Sequence, residues 1–379
     1  MAARNLAQAV IPPSLRAEQL KRLSFLCGLP LGGRKDELIR RLTAAAAVIP
    51  PASPKPRAGP AVLSIDLGIR NLAFCLLTPV SSPAPRKAAA GAKSKKRDGA
   101  DASSPSSARA GPPAINLHLW QRLSLLEGLG GSSGEDEEGD GDEEVLDVVD
   151  PDAAKGAFSP AALAKTANTF LQDTVLKLNP LPTHVLIERQ RWRSGGAAAI
   201  QEWTVRVNTL EAMLHSSLRT LRDVGAWDGE VVSVWPQRVG QLFLNAPDLA
   251  SEDALQVKSV GEDDPDAPEG KRRRNRKSSS EVKKLKIQLL GHWLGQGSLV
   301  IRPDNLEAKR MVTAYMGTLN NTGRGRSKRA AGGEGEKIPT LDRKLDDLTD
   351  SLMQGMAWLR WQENMALLRR DGGVEKLLE

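Results

Sequence analysis

The chain alternates between blocks with a clear apolar period and long stretches with none. Residues 61–77, AVLSIDLGIRNLAFCLL, hold two apolar runs rich in Val, Leu and Ile, composition that favours β-strands. Gly68 and Asn71 supply turn chemistry between them. Residues 115–123, INLHLWQRL, alternate apolar and polar positions and predict a third strand. Residues 159–178 predict a helix with Ser159 as N-cap, Pro160 at its first position and an apolar face from Leu163 to Leu178. Pro180 and Pro182 stop it, and THVLIE (183–188) reads as a short buried strand ending in a carboxylate. A helix over about 197–224 carries Ile200, Trp203, Val207, Leu210, Leu214, Leu218 and Leu221 at a 3.6-residue period. VVSVW (231–235) predicts a further strand, and helices are predicted over 283–294 and 341–369.

From residue 61 the order is three strands, helix, strand, helix, strand, helices. The first three strands lie close enough for an antiparallel meander, and the later alternation requires parallel additions. The expected class is therefore α/β, a mixed five-stranded sheet flanked by helices, and the order resembles the RNase H fold. Four segments have no apolar period: 81–113, rich in Ala, Ser, Pro and Lys; 130–157, with EDEEGDGDEE; 248–280, with KRRRNRK; and 320–338, rich in Gly, Arg and Lys. They read as disordered insertions, and the acidic run as a solvated loop rather than a metal site.

Ahead of residue 61, a Pro-rich linker (49–60) follows a compact unit at 14–48. Leu15, Leu20, Leu23 and Leu26 share a helical face, Gly28 ends that helix, and a second helix carries Leu38, Ile39 and Leu42. On its own this is a helical hairpin suited to binding another protein. Its spacing, however, resembles the SAP motif at Leu20, Lys21, Leu23, Gly28, Leu29, Gly33, Lys35, Leu38, Arg41 and Leu42. SAP modules bind DNA through helix N-termini and basic side chains. The resemblance implies phosphate contacts by Lys21, Lys35 and Arg41, with Arg22, Arg34 and Arg40 adding charge.

Composition narrows the partner. With 53 Lys and Arg against 46 Asp and Glu, the 379-residue chain has a net charge of +7, which suits a polyanion, nucleic acid before membrane surface. No apolar run approaches the roughly 20 residues of a membrane helix. Two cysteines (Cys27, Cys75) and four histidines, without CxxC or HxxxH spacing, argue against zinc and a disulfide framework and for an intracellular protein. No small-molecule cofactor is expected. The first residues, MAARNLAQAVIPPSLR, carry arginines and no acid before Glu18, compatible with a mitochondrial presequence but short and not Ser-rich. KRRRNRK reads as a nucleic-acid contact, an import signal or a solvated loop.

Three places carry acids in apolar surroundings: Asp66, Glu188, and Asp346, Asp347 and Asp350 in LDDLTDSL. A buried carboxylate needs its charge compensated, which a metal ion does well. At about 100° per residue, Asp347 and Asp350 fall near 100° and 40° from Asp346, on one arc of an otherwise apolar helix. Phosphodiester hydrolysis with two Mg²⁺ ions about 4 Å apart needs such a set. Asp66 is the expected bridging ligand, Glu188 a ligand from its strand end, and Asp350 with Asp347 or Asp346 ligands from the helix. Mn²⁺ is the expected substitute. Lys344 is a candidate phosphate contact, as are Arg189, Gln190, Arg191 and Arg193 beside Glu188. Trp192 reads as core, interface residue or base-stacking wedge. The helix over 200–221 is apolar enough to help form a dimer.

The combination of IDLGIRNLA, VLIERQRWRSGG with IQEW and VNTLEAML, SVWPQRV and KLDDLTDSLMQGMAW resembles the fungal mitochondrial Holliday-junction resolvase family, eukaryotic relatives of bacterial RuvC. The resemblance covers most of 61–361 outside the insertions, which are its main departure. It implies a mitochondrial homodimer that binds four-way junction DNA by structure and nicks two strands symmetrically with Mg²⁺. It carries catalytic roles onto Asp66, Glu188, Asp347 and Asp350, with Asp346 within the motif, and puts Arg70 and Asn71 where the DNA backbone approaches. The competing readings are an RNase H-like nuclease acting on RNA or RNA–DNA hybrids and a non-catalytic junction-binding scaffold. KRRRNRK leaves a nuclear location open.

Overall fold

The apolar run that ends in Asp66 forms β1 (Val62–Asp66), and the sheet is assembled around it. In the computed structural model the described residues are 11–48, 59–80, 112–125, 156, 158–190, 200–244, 279–297, 299–301, 305–321, 341 and 344–379. Apart from a few residues at or near their ends, the four expected insertions lie outside them, as does most of the linker. β2 (Leu72–Pro79) runs antiparallel to β1, and β3 (Ile115–Leu123) antiparallel to β2. β4 (His184–Glu188) lies parallel to β1 on its other side, and β5 (Glu230–Val234) parallel to β4. These are the five expected strands in the RNase H arrangement. A sixth, β6 (Leu299–Ile301), pairs parallel with β3, giving the order β5-β4-β1-β2-β3-β6. Three residues are too few to show a period, which is why the sequence pattern did not reveal it.

Both faces of the central strands are covered, so β1 is apolar on both sides. Leu63 and Ile65 pack with Phe74, Val185 and Ile187 beneath α3 (Pro160–Asp173) and α4 (Glu202–Asp223). Val62 and Leu186 face the other way, toward α5 (Pro236–Leu244), α6 (Ser279–Gly295), α7 (Leu306–Asn321) and α8 (Asp346–Leu368). The two-residue period of a strand then turns Asp66 and Glu188 toward the α8 face.

Several boundaries differ from the sequence expectation. α3 ends at Asp173, and a 3₁₀ turn at Val175–Lys177 takes the place of its last turn. Ser159 does cap it, its Oγ accepting from the Ala162 N–H at 3.3 Å. α4 begins at Glu202 and α8 at Asp346, both five residues later than expected. α5, α7 and the six-residue α9 (Gly373–Leu378) were not expected at all.

α8 lies unusually close to the sheet because Gly355 has no side chain. A Cβ there would stand 2.6 Å from Leu77 Cδ1 and 3.1 Å from Ser64 Cβ. Gly355→Ala should therefore destabilise the fold by about 1–3 kcal/mol through overpacking, against its roughly 1 kcal/mol advantage in helix propensity. Urea unfolding measures the net sign, and a gain in stability would show that the close approach is not limiting.

The unit at 14–48 is the expected helical hairpin, α1 (Ala17–Leu26) and α2 (Lys35–Ala47). Leu20, Leu23, Leu38 and Leu42 are fully buried, but not by one another alone: Met365 and Leu368 of α8 and Val374 and Leu377 of α9 complete the cluster. The Asn364 amide donates to Leu26 O at 2.7 Å, and the Arg369 guanidinium donates to the carbonyls of Ala46 and Val48. Gly28 ends α1 in the left-handed region (φ +69°), where a Cβ would strike the Trp361 ring at 2.4 Å.

Candidate active site

β1 and β4 are parallel neighbours, so their C-terminal residues emerge side by side, the crevice where α/β sheets place ligands. Those residues are Asp66 and Glu188, and their side chains are hydrogen-bonded to each other. Burial raises the Asp66 carboxyl well above the ordinary carboxylate range, and the charge and hydrogen bond of Glu188 add to it. The charges of Asp350 and Asp347 raise it further. Three of the other four expected acids are thus close enough to act on the Asp66 carboxyl.

The start of α8 is held there by buried polar contacts. Trp120 Nε1 of β3 donates to Leu348 O at 3.0 Å, and the Cys75 thiol of β2 to Ser351 O at 3.4 Å. The hydroxyls of Tyr315 and Thr349 pair at 2.7 Å. Gln354 Nε2 donates to Ser64 Oγ and Ile65 O, both at 3.1 Å, directly behind Asp66. Such bonds matter because an unpartnered polar group in this core costs about 1–3 kcal/mol. Together they set the rotation of α8, and with it which acids face the strand ends.

That rotation separates Asp346 from Asp347. Asp346 pairs with Lys283 of α6 (Nζ–Oδ2 2.8 Å). Burial pushes the Asp346 carboxyl up, but the Lys283 hydrogen bond and charge outweigh it, leaving a net downward shift. Asp347 is raised to about 6 by burial, then by the charges of Asp346 and Asp350, against Arg122 and Lys283. Of the adjacent pair, Asp347 is the one whose charge reaches Asp66. Lys286, one turn along α6, pairs with Asp350.

Among the described residues no three Asp, Glu, His or Cys side chains converge into a ready metal-binding group. The donor chemistry nevertheless suits a hard divalent cation: carboxylate oxygens, no imidazole or thiolate, and more buried negative charge than Lys283 and Lys286 neutralise. Opening the Lys286–Asp350 pair would free a carboxylate for such an ion.

A fifth acid stands beside this group. Glu211 of α4 accepts the Gln190 N–H at 3.2 Å. Burial and the Glu188 charge raise its carboxyl, against Gln190 and Arg189. In the sequence it was an acid next to Leu210 in an apolar helical stripe, inside the VNTLEAML segment, with no role attached to it. Lys283 and Lys286 carried no signal either, because nothing in a lysine's own helix shows which acids another helix brings to it.

The cationic candidates fall into three groups. Arg70 is exposed in the β1–β2 turn, 6.0 Å over the Trp203 ring, and Asn71 closes that turn so tightly that a Cβ on Gly68 would lie 2.7 Å from its carbonyl. Arg189 stacks 4.3 Å over Trp235. Lys344 is exposed just ahead of α8, its carbonyl accepting from Arg122 Nη1 at 3.1 Å. Arg191 and Arg193, with Trp192, lie outside the described residues. Lys21 and Lys35 are exposed on the N-terminal hairpin, whereas Arg41 Nη1 donates to Pro30 O and Gly32 O and braces the loop between the helices.

A family profile described as "Mitochondrial resolvase Ydc2 / RNA splicing MRS1" matches residues 62–368. The curated cruciform cutting endonuclease 1, mitochondrial, of Schizosaccharomyces pombe is 32% identical over 198 residues, 52% of this chain and 53% of that protein. The match therefore spans about half the length of that relative. The crystal structure of the yeast mitochondrial Holliday junction resolvase Ydc2 aligns over 93% of this chain and 95% of its own, with a TM-score of 0.49 and 22% identity.

Proposed function

We propose that this chain, which belongs to the mitochondrial resolvase Ydc2 / RNA splicing MRS1 family, is a structure-selective endonuclease that resolves four-way DNA junctions. The observation that carries the reading is the group formed by Asp66, Glu188, Asp347 and Asp350 at the ends of two parallel strands. The expected mitochondrial residence agrees with the family description and with the relative's name.

In this reading Asp66, Glu188, Asp347 and Asp350 hold two Mg²⁺ ions, with Mn²⁺ as a substitute. When bound, the ions supply an activated water and charge stabilisation for the leaving oxygen. Asp66 would serve both positions, and the proton that joins it to Glu188 without ions would be released when they bind. Lys286 neutralises Asp350 until it is displaced. Arg70 and Arg189, exposed beside the acids, orient the strand by its phosphates. The hairpin at 14–48 adds SAP-like contacts through Lys21 and Lys35. Two copies make the paired symmetric nicks, and the exposed apolar Ile200 and Val205 at the start of α4 offer a face for their association.

The family description also includes an RNA-splicing protein, so membership alone does not choose cutting over nucleic-acid binding; the acid set favours cutting. A panel of four-way junction, duplex, single strand and RNA–DNA hybrid, with and without Mg²⁺, tests this. Paired nicks on the junction in Mg²⁺ only are expected. Cleavage confined to the hybrid, or tight junction binding with no cleavage, would replace the reading. Lys286→Met should tighten Mn²⁺ binding severalfold in calorimetry, because it removes the charge that competes for Asp350. Unchanged affinity would mean that the pair does not guard the carboxylate.

A further inference from the structure

A cleft of about 320 Å³ opens between the N-terminal hairpin and the nuclease body, within the roughly 300–1,000 Å³ range of ligand sites. Its lining includes three tryptophans, Trp235 at the end of β5 and Trp358 and Trp361 of α8. Two arginines, Arg238 and Arg369, line it, and among the described residues no acid does. The Arg369 guanidinium donates to the carbonyls of Ala45, Ala46 and Val48, which position it without cancelling its charge. The indole N–H of Trp361 is buried and has no hydrogen-bond partner among the described residues.

One wall of the cleft reaches the strand end that carries Glu188. Glu188 is in register with Val234, the Arg189 N–H donates to Val234 O at 2.8 Å, and the Arg189 guanidinium stacks on Trp235. One aromatic ring therefore belongs to both the strand end that carries Glu188 and the cleft wall. Aromatic faces stack nucleobases and cationic rims hold phosphates, and both occur here in the absence of lining acids. We propose that this cleft receives one nucleotide of the strand bound across the acids, its base unstacked from the duplex and laid against Trp235. Its phosphates lie toward Arg189, Arg238 and Arg369. The proposal rests on the endonuclease reading and adds to it a base-accepting subsite.

The test uses the full chain with Ca²⁺ in place of Mg²⁺. The probes are a four-way junction carrying 5-iododeoxyuridine at each position flanking the crossover and a single-stranded oligonucleotide with the same label. After irradiation, crosslinked peptides are mapped by mass spectrometry. Crosslinks at Trp235 or within residues 358–362 are expected. In Mg²⁺, Trp235→Ala should slow junction cleavage roughly tenfold or more, the scale of a lost base stack, while Trp235→Phe restores most of the rate. The crosslink map is made on the wild-type chain and so does not depend on how the variants fold. Crosslinks only outside the cleft, on a junction that the wild type binds and cuts, overturn the subsite and leave the endonuclease reading standing. A wild type that neither binds nor cuts the junction, and gives no cleft crosslink with the single strand, overturns both.

Discussion

Asp66→Asn is expected to lower the single-turnover rate of junction cleavage roughly 1,000-fold or more, while junction binding in EDTA stays as tight or becomes tighter. A metal-held carboxylate in phosphoryl chemistry supports several kcal/mol of transition-state stabilisation, and each 1.36 kcal/mol is about a decade in rate. Asparagine keeps the shape of the side chain and can still donate to Glu188, so the strand end and the α8 contacts behind it persist. What it removes is a buried negative charge in a crowd of others. The same removal takes away repulsion against the phosphate backbone, which is why binding should not suffer. Cleavage at the wild-type rate in this variant would sink the proposed role of the whole acid group.

The second large effect is a pH-dependent response of stability to divalent ions. Asp347 is raised from 3.8 to about 6, and Asp66 is also raised. A carboxyl raised in the folded state binds its proton more tightly there than in the unfolded chain. Its stabilising contribution is thus full below about pH 4, fades as pH rises toward 6 for Asp347, and is gone above. Asp346 is shifted downward and acts in the opposite sense, gaining across its ordinary range and losing only at lower pH. In EDTA, the contribution of Asp347 should therefore fall between about pH 4 and 6, and that of Asp66 also falls as pH rises. Divalent ions bind the ionised form, so Mn²⁺ should raise the thermal midpoint more at pH 8 than at pH 5. At a hundredfold excess over its Kd the gain is about 2.7 kcal/mol, a shift of roughly 3 °C for a chain of this size. Scanning calorimetry at both pH values checks it. An equal shift at the two pH values, or one that survives Asp66→Asn, contradicts the proposed site.

The strand signals were legible because local chemistry decides them: Val and Ile on both sides of Asp66, alternation in INLHLWQRL, a carboxylate closing THVLIE. Their order then gave the sheet, since short links require antiparallel neighbours and long helical links allow parallel ones. α5 was hidden because it begins at Pro236 immediately after β5, with no loop to announce it. The acids of α8 were visible, but their roles were not. A helical wheel places Asp346 and Asp350 closest together, yet the structure turns Asp347 and Asp350 on Asp66 and gives Asp346 to Lys283. That choice is made by Trp120, Tyr315 and Gln354 gripping one rotation of the helix, and by α6 arriving with its lysines from some sixty residues upstream. Trp235 was similarly silent: as the last letter of VVSVW it looked like strand, and only the packing of the hairpin made it a wall.

The shared core of the N-terminal hairpin has a consequence for the order in which this protein becomes a protein. Leu20, Leu23, Leu38 and Leu42 leave the ribosome early, yet Met365, Leu368, Val374 and Leu377, which complete their cover, are made more than 300 residues later. At about 5–20 residues per second of synthesis, the hairpin waits tens of seconds with apolar surface uncovered. The same delay recurs wherever the chain is threaded N-terminus first. A segment made early is thus finished only once α9, more than 300 residues later, has been made.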